Sequence, residues 1–377
     1  MTDASFKEQP ASAASLVSAT SMHACAPGEA PVDAGKLLAL VVDIFKRADI
    51  PDDEADLVAD ALVLADLRGM HSHGVLRTTI YVEKIRGGGF RPGRKGRVVR
   101  ETSGTVLLDG ENGIGQVLTI AAMDRAIGKA RQNGIGAAGV FNSNHHGEAA
   151  YYILHALKHD MIGIVATNGS PNMPAWGGTT KMTGPLPFTA GAPTQDEQPF
   201  LVDAALGVTN RGKLIYIADK GEKVPFGWGV DRNAQPTDEP SKILDGGWIL
   251  PIGGHKGFGI TMFIEILSGV LTGALIGNAI RDLYNDPREQ PQGLGHFCIA
   301  IDPEAFMPIA QFKQRMDDMI RMIKASALAP GNERMIIPGQ LEFEKEKARR
   351  AHGIPLSVKL IDQLRHLGRE LGSPHTI

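Results

Sequence analysis

Apolar positions recur at three- and four-residue intervals from Asp33 to Ala48 and from Asp52 to Leu67, which predicts two amphipathic helices with Asp33 and Asp52 as N-caps. A third helix is expected to start near Gly74 and to place Leu76, Ile80 and Ile85 on one face, until Gly87-Gly88-Gly89, Pro92 and Gly93 break it. Strands and helices then alternate: a strand at 105–109, a helix at 119–133, a strand at 137–141 and a helix at 148–159. From Ile162 the chain reads as strand-rich and Gly/Pro-rich, through 162–167, 200–203 and 214–218. A further strand is expected at 297–301, and charged helices at 304–327 and 342–353. The pattern is that of a mixed α/β chain, helical at both ends and strand-rich between.

One segment imitates a membrane span. Residues 257–277 are almost wholly apolar over about the 20 residues a span needs, but Glu265 stands in the middle. A buried core helix is the expectation, with Glu265 requiring a partner once the chain is folded.

Composition narrows the function classes. The chain has 377 residues, a length that fits about two or three domains, and 43 % of them are hydrophobic, enough to form real cores. A net charge of −3 without a basic block argues against nucleic acid and against a polybasic membrane contact. The two cysteines, Cys25 and Cys298, make neither a disulfide framework nor a CxxC zinc pattern. Residues 1–32 read as a flexible N-terminal extension, rich in Ala, Ser, Pro and Glu and unlike a secretory signal, so a cytoplasmic location is expected.

Two polar stretches carry candidate chemistry. Asn142-Ser143-Asn144-His145-His146-Gly147-Glu148 lies where a predicted strand meets a predicted helix, a rigid rim from which an imidazole can exchange protons near neutral pH. In Asp66-Leu67-Arg68-Gly69-Met70-His71-Ser72-His73-Gly74, followed by Arg77 and Tyr81, the i, i+4, i+8 spacing of His73, Arg77 and Tyr81 stacks a proton carrier, a two-pronged cation and a phenol on one helix face. An Arg clamp with a His acid/base suits a small 2-hydroxy or 2-oxo acid. The plain alternatives are a capping role for His145 and His146 and a solvated face for Arg77 and Tyr81.

The match of Gly134-Ile135-Gly136-Ala137-Ala138-Gly139 to GxGxxG is rejected as a dinucleotide fingerprint. It follows a helix and enters a strand, the reverse of the required order, so Gly134 is read as a helix C-cap. Gly253-Gly254-His255-Lys256-Gly257-Phe258-Gly259, at the start of the apolar run, is the better phosphate or amide site. A second Gly-rich loop, from Thr167-Asn168-Gly169-Ser170 to Trp176-Gly177-Gly178, suggests the other wall of a cleft.

These segments occur in an order that resembles the malate/L-lactate dehydrogenase family: Ser72-His73-Gly74, Ser143-Asn144-His145 with Gly147, the Asn168 loop with Gly177-Gly178, the Lys256-Gly257 helix start and Ile337-Pro338-Gly339-Gln340. The resemblance spans about residues 33–351. It implies an NAD- or NADP-dependent oxidoreductase, a non-Rossmann cofactor-binding domain with a mixed sheet, and a homodimer. On that reading residues 33–104 with 300–377 form a helical, substrate-side and dimerisation region, and 105–299 the NAD(P)-binding and catalytic region. His145 matches the general acid/base, with Ser72 and His73 beside it. Arg77 and Tyr81 match substrate-binding positions. Asn168, Ser170, Asp203, Ala204, Ala205, Lys256 and Gly257 fall on the cofactor side.

There are departures. Gly184-Pro185-Leu186-Pro187 stands where the family often has Gly-Thr-Asn-Pro, so an Asn amide is lost, and Gly169-Ser170 replaces a polar or acidic position. Substrate and cofactor preference stay open, with reduction of a cyclic imine acid as the alternative to carbonyl reduction. A cofactor-binding protein without turnover is a further alternative. A metal hydrolase built on His71, His73, His145 and His146 is disfavoured because no HExxH or carboxylate cluster accompanies them.

Overall fold

The computed structural model describes residues 22–377. Among the described residues thirteen strands and eleven α-helices follow one another. The first part runs β1 (Glu29–Val32), α1 (Ala34–Arg47), α2 (Asp52–Arg68), α3 (Thr78–Gly87), β2 (Arg97–Glu101), β3 (Thr105–Asp109), α4 (Gly115–Asn133), β4 (Ile135–Ser143), α5 (Ala150–Lys158) and β5 (Ile162–Thr167). The middle runs β6 (Met173–Pro174), β7 (Lys181–Thr183), β8 (Pro187–Ala192), β9 (Phe200–Ala205), α6 (Arg211–Asp219), β10 (Gly229–Val230), α7 (Pro240–Leu244), β11 (Trp248–Ile249) and α8 (His255–Glu265). The last part is β12 (Leu294–Ile301), α9 (Ile309–Lys324), α10 (Gln340–His352), β13 (Ile354–Ser357) and α11 (Val358–Glu370).

Seven strands make one mixed sheet in the order β2-β3-β4-β12-β5-β8-β9. Only β3 and β4 pair in parallel; the other neighbours are antiparallel. Helices α4 and α5 pack on the sheet through Leu118, Met123, Ala126, Tyr152 and Ile153, all fully buried. Gly136 permits that approach, since a Cβ there would lie 2.1 Å from the Ala126 carbonyl oxygen. Gly134 (φ 81°) ends α4 as its C-cap, the role the element order demanded.

A second core is helical. Leu37, Leu40, Val41, Ile44 and Phe45 of α1, spaced as one face, meet Val58 and Leu62 of α2 and Ile361 and Leu364 of α11. Each such side chain contributes about 1.5–3 kcal/mol by leaving water. The two-stranded β1–β13 sheet closes this core, pairing Glu29–Val32 with Ile354–Ser357. The predicted extension therefore stops short of residue 32: Glu29–Val32 form a strand, and the Met22 carbonyl accepts from Arg349 Nε at 3.2 Å. Residues 1–21 of that prediction lie outside the described residues.

Other expectations change. Asp33 caps α1, its carboxylate accepting the Lys36 N–H, but Pro51 occupies the α2 N-cap position and Asp52 is the first helical residue. Residues 214–218 belong to helix α6, not to a strand. The helix expected from Glu304 starts at Ile309, after Pro308. The apolar run at 257–277 is not one helix, and it is buried on one side only, through Thr261, Ile264, Ser268 and Thr272. Helix α8 passes into a π-turn at Ile266–Val270, and Met262, Phe263, Ile266, Val270 and Leu271 are exposed. Glu265 accepts the Gly277 N–H at 3.1 Å, and burial pushes its carboxyl up. Among the described residues no helix is long and apolar enough to cross a membrane.

Candidate active site

The His71–Arg77 segment is not the start of an α-helix. Two 3-10 turns, His71–His73 and Val75–Arg77, separated by extended Gly74, connect α2 to α3. The cause is the buried Asp66 carboxylate. Its Oδ2 accepts the Val75 N–H at 2.7 Å, its Oδ1 is 2.6 Å from His71 Nδ1, and a Cβ on Gly74 would lie 2.2 Å from it. Arg349 Nη1 faces His71 Nε2 at 3.1 Å, so His71 is tied into the structure. His73, Arg77 and Tyr81 therefore do not share the predicted helical stripe.

They converge nonetheless, around His145. The His73 ring stacks on the His145 ring with centroids 5.5 Å apart, and the Tyr81 hydroxyl lies 2.6 Å from His145 Nδ1. Arg77 is held at two points, donating from Nε to the Ser72 carbonyl (2.8 Å) and from Nη1 to the Tyr284 hydroxyl (2.6 Å), with its guanidinium over the Tyr284 ring. The Ser72 hydroxyl is 2.8 Å from His73 Nδ1.

The segment after β4 fixes His145. Its backbone N–H donates to Gln292 Oε1 at 2.9 Å, and Asn144 Nδ2 donates to the carbonyls of Asn112 and Gly113. The hydrogen-bond pattern also assigns the proton on the ring. The Gly147 N–H points at Nδ1 (3.3 Å). Gln116 Nε2 donates to the Tyr81 oxygen (3.0 Å), leaving the phenol's own proton for Nδ1. Nδ1 is thus an acceptor, and the neutral ring carries its proton on Nε2. Burial, then the Arg77 charge, hold His145 well below the usual histidine range, while burial raises Tyr81 and keeps it a phenol. His73 is pushed down to about 4 by burial and by Arg77. The corner therefore presents a neutral N–H donor beside a permanent cation.

His146 turns away. It is stacked between Tyr152 and His296, and Tyr152 donates to its backbone carbonyl. Gln116, Gln292 and Tyr284 escaped sequence reasoning; single neutral side chains or a lone Tyr form no spacing pattern that marks them.

The residues expected on the cofactor side lie elsewhere on the sheet and on α8. Asn168 joins β5 to β12, donating to the Leu275 carbonyl and accepting the Gly295 N–H, and the Ser170 hydroxyl donates to the Arg281 carbonyl. Asp203 accepts the Ala150 N–H (2.9 Å) and the Thr189 hydroxyl (2.9 Å), and borders a cavity of ≈ 150 Å³ with Arg68 and Glu148. Ala204 and Ala205 finish edge strand β9. Lys256 is exposed in the first turn of α8, while Gly257 lies beneath it, where a Cβ would sit 1.8 Å from the Ile252 carbonyl oxygen. Leu186 of the altered loop packs with Ala166, Leu206 and Ile264 in a small apolar cluster.

Residues 32–365 match the family described as malate/L-lactate dehydrogenase. The chain belongs to that family. It is 39 % identical over 344 residues to malate dehydrogenase of Pyrococcus abyssi, covering 89 % of this chain and 94 % of that protein. It is 38 % identical over 333 residues to L-sulfolactate dehydrogenase of Methanocaldococcus jannaschii, covering 88 % and 95 %. The structure of malate dehydrogenase from Pyrococcus horikoshii OT3 superposes with a TM-score of 0.85 at 34 % identity, covering 93 % of this chain and 98 % of that one. As a member of the malate/L-lactate dehydrogenase family, this chain is an oxidoreductase.

Proposed function

We propose that this dehydrogenase interconverts a small 2-hydroxy acid and its 2-oxo acid with NAD or NADP. The observation that carries the reading is the His145 corner: a neutral imidazole with its proton on Nε2, fixed through Nδ1, beside the Arg77 guanidinium. Arg77 grips the substrate carboxylate with a charge-assisted pair of bonds. In reduction the His145 ring, protonated on both nitrogens once the acid is bound, gives its Nε2 proton to the oxygen on C2 and keeps the one on Nδ1; in oxidation the bare Nε2 takes that proton back. Pairing of the carboxylate with Arg77 offsets part of the charge that depresses the imidazole, which favours proton uptake when the acid binds. Ser72 and His73 orient the substrate.

The nicotinamide supplies or accepts the hydride. The residues present fit such a cofactor. Gly253 and Gly254, both at positive φ, lead into α8 and leave its first N–H groups and Lys256 open to a phosphate. Asn168, Ser170, Asp203, Ala204, Ala205 and Gly257 complete the proposed cofactor side. We assign a second copy of the chain to the exposed apolar face of Met262, Phe263, Ile266, Val270 and Leu271, in the 105–299 region rather than the 33–104 and 300–377 region that the resemblance implied, because an uncovered apolar patch favours association.

The test is absorbance at the nicotinamide band with NADH or NADPH and pyruvate, oxaloacetate, sulfopyruvate or Δ1-piperideine-2-carboxylate. Oxidation with a 2-oxo acid supports the reading. Turnover of the imine acid alone favours the alternative, and cofactor binding without turnover of any acceptor refutes both.

A further inference from the structure

A separate cluster of metal-binding side chains lies between α4 and α5, away from the His145 corner. Helix α5 presents His155, and His159 follows four residues later at its C-cap, so both rings emerge on the same side, edge to face with centroids 5.0 Å apart. From α4, Asp124 places Oδ1 2.6 Å from His155 Nε2. One donor atom from each of the three side chains lies within 4.8 Å of the other two. Asp124 is exposed and both imidazoles are half-buried, so the cluster is open to solvent.

We propose that Asp124, His155 and His159 form a site for a first-row transition-metal dication of the Zn²⁺ class, which clips α4 to α5. Two imidazoles and a carboxylate are a borderline donor set suited to Zn²⁺ rather than Mg²⁺ or Ca²⁺. Metal–ligand bonds of about 2.0–2.2 Å place tetrahedral donors roughly 3.4 Å apart, so small side-chain rotations close the triad and leave a position for water. Arg131 is the built-in opponent: its Nη2 points at His159 Nδ1 from 3.3 Å and disfavours a second cation. The two helices joined are those that support the acid/base corner. Gln116, which holds Tyr81, is in the first turn of α4, and α5 starts five residues after His145.

The test is calorimetric titration of Zn²⁺ into the tag-free, chelator-stripped full chain, with thermal melting alongside. The wild type is expected to bind one Zn²⁺ per chain at this site and to melt higher with it. His155→Ala and His159→Ala lower the affinity at least about tenfold, because even an outer-shell partner of a ligand contributes 10–100-fold. Asp124→Asn, nearly isosteric and exposed, gives the same loss without packing change, and Arg131→Gln tightens binding. Turnover without metal is unchanged in all four variants. Absence of Zn²⁺ binding by the wild type overturns the proposal. So does binding that is undiminished in His155→Ala and His159→Ala, which places the ion at the other histidines.

Discussion

The His145 corner and the α8 face are built in opposite ways. At the corner the main groups are held before any ligand arrives: Gln292 holds the His145 backbone, Tyr81 and Gly147 hold Nδ1, Gln116 holds Tyr81, and Tyr284 with the Ser72 carbonyl holds Arg77. Along α8 the apolar side chains are half-exposed and Lys256 extends into solvent. The difference separates what a chain finishes by itself from what binding completes. Proton transfer needs geometry held to a fraction of an ångström, and packing with a supporting shell provides that. On the proposed function, the α8 surface receives a cofactor and a second copy, and it stays open until they arrive.

Substitutions at the corner are the sharpest way to break this contrast. His145→Ala is expected to lower kcat for carbonyl reduction by about 10²–10⁴-fold, the usual contribution of a positioned acid/base, with the cofactor Kd unchanged. An imine acceptor that is already protonated loses less, and steady-state kinetics on both acceptor types checks this. Equal, small losses on every acceptor contradict the role. Arg77→Lys replaces a two-pronged cation with a point charge. The loss of a charge-assisted bond of about 1.5–3 kcal/mol predicts a KM about 10–100-fold higher, measured with the carboxylate substrate. Tyr81→Phe keeps the packing and removes the proton offered to Nδ1. It is expected to lower kcat about tenfold with little change in KM, and Gln116→Leu less, as the network transmits orientation rather than chemistry.

The smallest effect concerns stability. Burial pushes His296 down to about 3, where the hydroxyls of Ser143 and Thr167 flank its ring, and His73 is down at about 4. An unfolded histidine titrates near 6.5. Between about pH 6.5 and 4 the unfolded chain therefore binds protons that the native state refuses, so stability falls as pH falls through that window. Thermal melting across it should show the decline, with little contribution from these groups above about pH 7. A flat profile contradicts the neutral assignment.

Much of this was legible in the chain. The a/d-like spacing from Leu37 to Phe45 marked α1, and the order of helix and strand around Gly134 excluded a dinucleotide loop there. Where the reading failed, a tertiary partner decided the local structure. The α2–α3 connection breaks into two 3-10 turns because the buried Asp66 carboxylate, nine residues earlier, accepts the Val75 N–H. Leu214–Ala218 looked like a strand because Ile215 and Ile217 favour one, yet Asn210 accepts the Lys213 N–H and caps a helix. Apolar content at 257–277 revealed hydrophobicity but not which side is covered. At the candidate site, His73, Arg77, Tyr81 and His145 were singled out by their chemistry, while the helical spacing that grouped the first three did not form. Gln116, Gln292 and Tyr284 act through single contacts that no periodicity encodes.

The most direct test of a prebuilt corner is the protonation state of His145 in the free protein. Nitrogen-15 NMR of histidine-labelled chain, assigned with His145→Ala, reads both ring nitrogens between about pH 6 and 8. A bare Nδ1 and a protonated Nε2 throughout that range are predicted. An imidazolium, or a proton resident on Nδ1, would contradict the account.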